Sequence, residues 1–386
     1  MVEPHVVVLG HAADRTGPPM YLLQLLRDLD RSGLRITIVL LRGGELLADL
    51  QELAEVRVVG EPVDSAAALP GRLAEEPARL RARRAQLADL RDVDLAIVNT
   101  AWSIHALPWL PVPPARLVSV VHELGAGVAD LLDRPALDAL LASDRFVAGC
   151  GAVAGMLADD LGVPAERIDL IPYGVAQDGS DPVPVDRTQL DADDDAFLVL
   201  AAAVPDRRKA PDLFVHLAAT ARRRRPDVPW AFRWIGATED DPRLADARTD
   251  RALLDAGDLV RFVPPTPALR TALAAGDAFV LTSRQDAFPL AAVEAALAGL
   301  PLLCFASGGI GALVEPDGGR LVPFPDLESM VDALVAWHDD PPGRTAAGGA
   351  ARERARRHHD AADHARAFDR AVLGGLRGDR PAGAPA

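Results

Sequence analysis

TSRQDAFPLAAVEAALAGLPLLCFASGGIGALVEPDGGRLVP, from Thr282 to Pro323, decides the fold. An apolar run ends at Thr282 and a polar loop follows. Pro289 can then open a helix, because its fixed φ suits the first turn and its missing N–H is not needed there. The next apolar run, Pro301 to Phe305, leads into Gly308 and Gly309, and Gly319 to Val322 supplies a further strand. Strands separated by helical crossovers must run parallel, with both faces of the sheet covered. Ligands of such sheets sit beyond the carboxyl ends of the strands. Free amides at the start of the Pro289 helix would face an anion there. Glu294, one to two turns in, can take two vicinal hydroxyls on one carboxylate. Gly308 and Gly309 would let backbone approach a ligand closely.

The same alternation runs outward in both directions. Toward the N-terminus, strand-like runs recur at Val6–Leu9, Leu34–Leu41, Val56–Val59, Asp94–Asn99, Arg116–His122 and Arg145–Cys150. Helical stretches separate them, as in PPMYLLQLLRDLDRSG, where proline opens the helix, Leu22, Leu26 and Leu29 form a stripe, and Gly33 is expected to close it. After IPYGV (Ile171–Val175) the pattern stops. QDGSDPVPVDRTQLDADDDA, Gln177–Ala196, carries seven aspartates and one arginine, which is linker composition. Strands resume at Phe197–Ala202, Trp230–Ile235, Leu259–Val263, Ala278–Thr282, Pro301–Phe305 and Gly319–Val322. The expected architecture is therefore α/β: two Rossmann-like, doubly wound parallel-sheet domains facing a central cleft. Residues 1–173 form the N-terminal domain, 174–196 the linker and 197–342 the C-terminal domain. Helices over 343–376 are free to pack back on the first domain, and RGDRPAGAPA, 377–386, is expected to be a disordered tail.

Composition narrows the function. A chain of 386 residues exceeds one compact core, and 49% apolar with 25% charged residues describes a folded, water-facing protein. The net charge of -15 argues against nucleic acid as partner, since phosphate neutralisation needs a basic face. Arginine clusters at Arg79–Arg84, Arg222–Arg225 and Arg352–Arg357 read as solvated helix faces, with peripheral contact to anionic lipid the alternative. Cys150 and Cys304 lie in different halves and suggest buried thiols, neither a disulfide nor a metal site. No run is long enough to span a bilayer and the first residues lead straight into a strand, so a cytoplasmic protein is expected. Among 41 basic residues Lys209 is the sole lysine. Its survival against so strong an arginine bias points to a task for a compact ammonium. A lysine kept for ligand would leave the melting temperature almost unmoved when replaced.

The Thr282–Pro323 motif resembles glycosyltransferase family 4, of the GT-B fold, and the similarity spans most of the chain. In that family a Glu-x7-Glu pattern follows this strand. Its second glutamate, matched by Glu294, binds the nucleotide ribose, and its first contacts the donor sugar. Asp286 stands in place of the first, retracting the carboxylate by about 1.5 Å. Phe288, Pro289, Leu290, Gly308, Gly309 and Ile310 complete the matched donor-binding pattern. AAAVPDRRKAPDLFVHLA, from Ala201, aligns Lys209 with the family's phosphate-binding lysine and brings Arg208 beside it. Ala203 and Val204 replace the family's Gly-Arg pair and Ala210 its glycine. In the N-terminal half, Gly17 corresponds to a loop glycine near the donor phosphates. His122, in VVHELG, corresponds to a histidine near the donor sugar. His11, Asn99 and Glu123 are acceptor-side candidates, with helix capping the alternative for Asn99, the chain's single asparagine. Tyr173 takes the asparagine position of the family's Ile-Pro-Asn-Gly-Val and marks the hinge.

The resemblance implies a retaining transfer from a nucleotide-diphosphate sugar to an acceptor hydroxyl, with no metal and no other cofactor. His122, Lys209 and Asp286 are its candidate catalytic residues. Lys209, Arg208 and helix amides would stabilise charge growing on the leaving diphosphate. Two other readings stay open: a nucleotide-sugar epimerase, and a non-catalytic nucleotide-sugar-binding protein favoured by Asp286 and by the lost Gly-Arg pair.

Overall fold

A computed structural model describes residues 3–59, 77–177 and 179–376. The chain divides into two compact units, one of residues 1–176 and 361–386, the other of 177–360. The tail expected over 377–386 lies outside the described residues.

The first unit is built on seven strands: β1 (His5–Gly10), β2 (Arg35–Leu40), β3 (Glu55–Val58), β4 (Leu95–Asn99), β5 (Leu117–Val121), β6 (Arg145–Ala148) and β7 (Ile168–Leu170). Their order is β3-β2-β1-β4-β5-β6-β7, and every pairing is parallel. Continuous apolar runs such as His5–Gly10, buried along their whole length, are what two covered faces require. Helix Gly17–Asp28 follows β1 with Pro18 and Pro19 in its first turn, and buries Leu22, Leu25 and Leu26. It ends at Asp28, not at Gly33. Gly33 lies beyond it, with φ +69 in the turn that leads into β2, where the left-handed backbone favours glycine. Strand β7 has three residues, too few to show a period in the sequence. The segment Ala361–Phe368 returns to this unit, and its His364, Ala365 and Phe368 are buried.

In the second unit six parallel strands follow the order β10-β9-β8-β11-β12-β13. They are β8 (Phe197–Ala202), β9 (Trp230–Ile235), β10 (Val260–Val263), β11 (Ala278–Leu281), β12 (Leu302–Phe305) and β13 (Gly319–Val322). Phe214 meets both Phe232 and Trp234 edge to face in its core, 5.5 Å apart between ring centroids in each case. The acidic stretch before β8 is docked on this unit. Buried Arg233 of β9 donates to the carbonyl oxygens of Leu190 (2.6 Å), Asp191, Phe232 (2.9 Å) and Leu259 (3.0 Å). Arg187 pairs with Asp277 at 3.0 Å. A guanidinium's five donors can satisfy several carbonyls at once, which is how a charge is accommodated in a strand interior. Cys150 and Cys304 are buried, one in each unit, and are not joined in a disulfide.

Candidate active site

In an open parallel sheet the strand order reverses once, and the loops on either side of that point form the ligand crevice. In the second unit the reversal falls between β8 and β11. Lys209 lies in the loop after β8 and Asp286 in the loop after β11. The two loops are stapled together. Thr282 Oγ1 donates to the Ala210 carbonyl at 3.0 Å, and the Arg284 amide donates to the Arg208 carbonyl at 2.7 Å. The Arg284 guanidinium donates to the Arg207 carbonyl and to Asp212, both at 2.9 Å. Across this junction the Lys209 ammonium makes a direct ion pair with the Asp286 carboxylate. Their side chains are 20% and 9% exposed, so the pair is mostly withdrawn from water. Ala210 has φ +57, a left-handed conformation that explains why a glycine belongs there in the family pattern. Arg208 points outward, pairs with Asp206 at 3.0 Å and is well exposed.

Helix Leu290–Leu297 begins just after Pro289 and carries Glu294. The Glu294 carboxylate accepts from Arg270 Nε at 2.7 Å. Burial pushes its carboxyl above the ordinary range, and Arg270 offsets part of that rise. Phe288 is buried, stacked on His359 with centroids 4.9 Å apart, so its ring serves packing. Pro289 and Ile310 are also buried, and Leu290 is half-buried. Gly308 adopts φ +63, and a Cβ there would sit 1.8 Å from the Asp286 carbonyl oxygen. The Gly309 amide donates to the Ala287 carbonyl at 2.8 Å. The close approach that these glycines permit is thus made to the Asp286 loop of the chain itself, and it pins the backbone that carries the carboxylate.

The first unit has its own reversal, between β1 and β4. Asn99 ends β4, buried, with its amide Nδ2 donating to the Pro18 carbonyl at 2.9 Å. This is not a helix cap; it leaves Oδ1 to face His122 Nε2 at 3.0 Å. His122 Nδ1 lies 2.7 Å from the Tyr173 hydroxyl. Burial pushes the imidazole down to about 3, so it is neutral at pH 7. The Asn99 orientation then assigns the tautomer: Nε2–H donates to Asn99, and Nδ1 accepts from the tyrosine. A second histidine repeats the pattern. His364 Nδ1 lies 2.8 Å from the Pro172 carbonyl and Nε2 3.1 Å from the Tyr21 hydroxyl. Tyr21, Tyr173, His122 and His364 pack ring on ring, with Tyr21–His122 centroids 4.8 Å apart. Gly149 is required beneath Tyr173, since a Cβ there would lie 2.0 Å from the ring. Both nitrogens of His122 are therefore engaged inside the unit, and a sugar contact would have to displace Asn99.

Glu123 is likewise committed inward. Its carboxylate accepts from Thr100 Oγ1, from the Ala101 amide (3.2 Å) and from the His122 amide (2.9 Å). It holds Thr100, which has φ +86, at the start of the 3-10 segment Ala101–Trp109. His11, at the end of β1, has a buried Nδ1 without a hydrogen-bond partner, as has Nε1 of neighbouring Trp102. Burial holds the His11 imidazole below its ordinary range. Gly17 is exposed with open space around it, so nothing in the unit itself requires a glycine there.

The second unit thus brings Lys209 and Asp286 into contact, with the glycine loop against Asp286. In the first unit Asn99 and His122 meet directly, and Glu123 accepts from the His122 amide. Residues absent from the sequence reading are Arg270, which holds Glu294, and Tyr21 and His364, which with Tyr173, expected only to mark the hinge, enclose His122. Rarity was the available signal: the chain has two tyrosines, and both are in this cluster. Among the described residues no group of three His, Cys, Asp or Glu side chains is arranged to hold a metal ion. Among them, too, no helix is long and apolar enough to cross a membrane.

Comparison with known proteins agrees with this layout. The family model described as Glycosyltransferase Family 4 matches residues 16–178, and that described as Glycosyl transferases group 1 matches 195–340. A D-inositol 3-phosphate glycosyltransferase of Kineococcus radiotolerans is 28% identical over 379 residues, covering 89% of this chain and 87% of that one. A similarly named protein of Pseudarthrobacter chlorophenolicus is 31% identical over 224 residues, covering 55% of this chain and 51% of its own. The chain thus spans about half the length of this relative and of those from Arthrobacter and Paenarthrobacter aurescens. Among solved structures, Anabaena Alr3699/HepE in complex with UDP-glucose superposes with a TM-score of 0.78 at 16% identity, covering 96% of this chain and 99% of that one. WaaG, a glycosyltransferase involved in lipopolysaccharide biosynthesis, superposes at 0.73 and 16%, covering 95% and 99%. With one family model on each half and this architecture throughout, the chain belongs to glycosyltransferase family 4 and has the GT-B fold.

Proposed function

We propose that the protein is a retaining glycosyltransferase that moves a sugar from a uridine-diphosphate donor to an acceptor hydroxyl. The observation that carries this reading is the meeting of Lys209 and Asp286 across the β8/β11 reversal, with Glu294 eight positions after Asp286 on the adjoining helix. On this reading Glu294 takes the ribose hydroxyls, Lys209 faces the diphosphate with Arg208 nearby, and Asp286 takes a sugar hydroxyl. As the glycosidic bond loosens, negative charge grows on the leaving diphosphate, and a fixed ammonium stabilises it without reorganisation. A diphosphate oxygen accepts the proton of the attacking hydroxyl, so no protein nucleophile is needed. His122 acts as a positioning residue, because its neutral ring is held by Asn99 and Tyr173. The donor choice draws on the UDP-glucose bound by Alr3699/HepE. The relatives' names make a polyol phosphate such as D-inositol 3-phosphate the first acceptor to try. The relevant pool of donor is cytoplasmic.

Incubation with UDP-sugars and a panel of polyol and saccharide acceptors tests the assignment. A glycosylated product of unchanged anomeric configuration is expected. An isomerised donor would instead mean an epimerase, and tight donor binding without turnover a binding protein. The last alternative is favoured by Ala203 and Val204 in place of the Gly-Arg pair. Saturation at 100 times the dissociation constant should raise stability by about 2.7 kcal/mol, so thermal shift ranks the donors beforehand.

A further inference from the structure

Resting on the donor assignment above, we propose that Asp286 is a specificity-determining residue that sets the second unit against free nucleoside diphosphate and in favour of the sugar-bearing donor. Three observations lead there. The only lysine of the chain is neutralised by this carboxylate in a pair that is mostly buried, so an arriving diphosphate meets an ammonium already balanced by a negative charge. The carboxylate is also unable to retreat with its backbone. The Asp286 carbonyl lies against Gly308, the Gly309 amide is bonded to Ala287, and Arg284 ties the start of the loop to Asp212. Finally, aspartate has a shorter side chain than the glutamate of the family pattern, which leaves the carboxylate less reach to swing aside.

Donor and product differ at one place, the oxygen of the terminal phosphate. In the donor that oxygen is esterified, and the sugar brings hydroxyls that can donate to a carboxylate. In the product it is a free phosphate, bearing about -1.5 to -2 charge at pH 7 and offering mainly acceptor oxygens. A carboxylate accepts and does not donate, so it bonds with the first and repels the second. Like charges brought together without intervening water lower affinity by well over 10-fold. Asp286 thus keeps Lys209 from holding the product as strongly as an unbalanced ammonium would.

Calorimetric titration of UDP and UDP-glucose into wild type, Asp286→Asn and Asp286→Glu, at one pH and salt concentration, tests this. Asp286→Asn should bind UDP about 10-fold more tightly than wild type does. UDP-glucose should bind it no better, so that the preference between the two ligands moves by at least 10-fold toward the product. Asp286→Glu, which keeps the charge on a longer side chain, should show a preference nearer to that of wild type than to that of Asp286→Asn. Unchanged or weaker UDP binding by folded Asp286→Asn overturns the proposal. Should Asp286→Asn fail to fold, wild type still decides: UDP binding 10-fold or more tighter than UDP-glucose overturns the proposal, and donor binding at least as tight as product supports it. A wild-type protein that binds neither ligand sinks the donor assignment itself, an outcome distinct from a lost preference.

Discussion

Lys209→Ala should destabilise the second unit as well as impair any activity, and the structure fixes the size of the effect. The substitution removes the single ammonium paired with Asp286, whose carboxylate is 9% exposed. Removing one partner of a buried pair costs about 3 to 5 kcal/mol, because the remaining charge stays desolvated. Lys209 is itself 20% exposed, so water can reach part of the gap, and about 3 kcal/mol is the appropriate figure. For a unit of this size each kcal/mol moves Tm by about 2 to 4 °C, giving a fall of roughly 6 to 12 °C. Lys209→Arg keeps a cation beside the carboxylate and should lose little of that stability. The double variant Lys209→Ala/Asp286→Asn removes the stranded charge and should regain most of it. Calorimetric melts of the four proteins test the series. A Lys209→Ala variant that melts within 2 °C of wild type would refute the reasoning, by showing that the carboxylate finds water or another donor. This reverses the expectation from sequence, in which a ligand-binding lysine leaves Tm unmoved, because the sequence does not reveal that Asp286 is its partner.

In kinetics, Lys209→Arg should lower kcat/KM by roughly 10-fold to 150-fold, since a planar guanidinium places its charge differently, and the loss of one charge-assisted contact is about 1.5 to 3 kcal/mol. Turnover equal to wild type would dismiss the role. Glu294→Gln should weaken UDP binding by a similar factor, read by calorimetry, because an amide accepts on one atom only. Tyr173→Phe leaves His122 Nδ1 buried without its donor and should cost about 1 to 3 kcal/mol in urea titration; no change would mean that the hydroxyl is not needed there. Lowering the pH should destabilise the first unit. His122 is held near 3 in the fold, below its unfolded value of 6.5, so only the unfolded chain gains a proton between those limits. Stability is full above 6.5 and lost as the pH falls through that window, reaching about 2 kcal/mol at pH 5. His122→Gln should flatten that slope in melts across pH; an unaltered slope would assign it to other groups.

Both sheets were legible in the sequence because buried parallel strands are continuous apolar runs, as at Val6–Leu9 and Phe197–Ala202, and because prolines and glycines punctuate the helices. The three-residue β7 was not, since a strand that short has no period. Docking of the acidic stretch was hidden for a different reason. It depends on Arg233, which sits in the middle of a strand and gives no local sign that its guanidinium reaches the carbonyls of Leu190 and Asp191. At the site, the family resemblance, with the rarity of lysine and the position of Glu294 on its helix, pointed to Lys209, Asp286 and Glu294, but partnership is a property of the folded loops. Neither the Lys209–Asp286 pair, 77 positions apart, nor Arg270–Glu294 could be read from spacing. The cluster around His122 was half visible, through the lone asparagine. The two tyrosines stood out by the same rarity, and Tyr173 was read only as a hinge marker.

One feature of the first unit bears on how the protein is made. Its seven strands are all synthesised by residue 170, yet Tyr21 receives its partner His364 only when the chain returns, 192 residues after Pro172, the other group that this histidine holds. Phe368 and Leu373 arrive with it against Leu22, Leu25 and Leu26 of the first helix. At about 5 to 20 residues per second a ribosome needs roughly 10 to 40 s to cover that interval. Throughout it the leucine stripe lacks the cover of Phe368 and Leu373 while the contiguous second unit is emerging. The last unit begun is thus the first that can be finished, and the nascent chain carries for that time an apolar strip of the kind that chaperones hold.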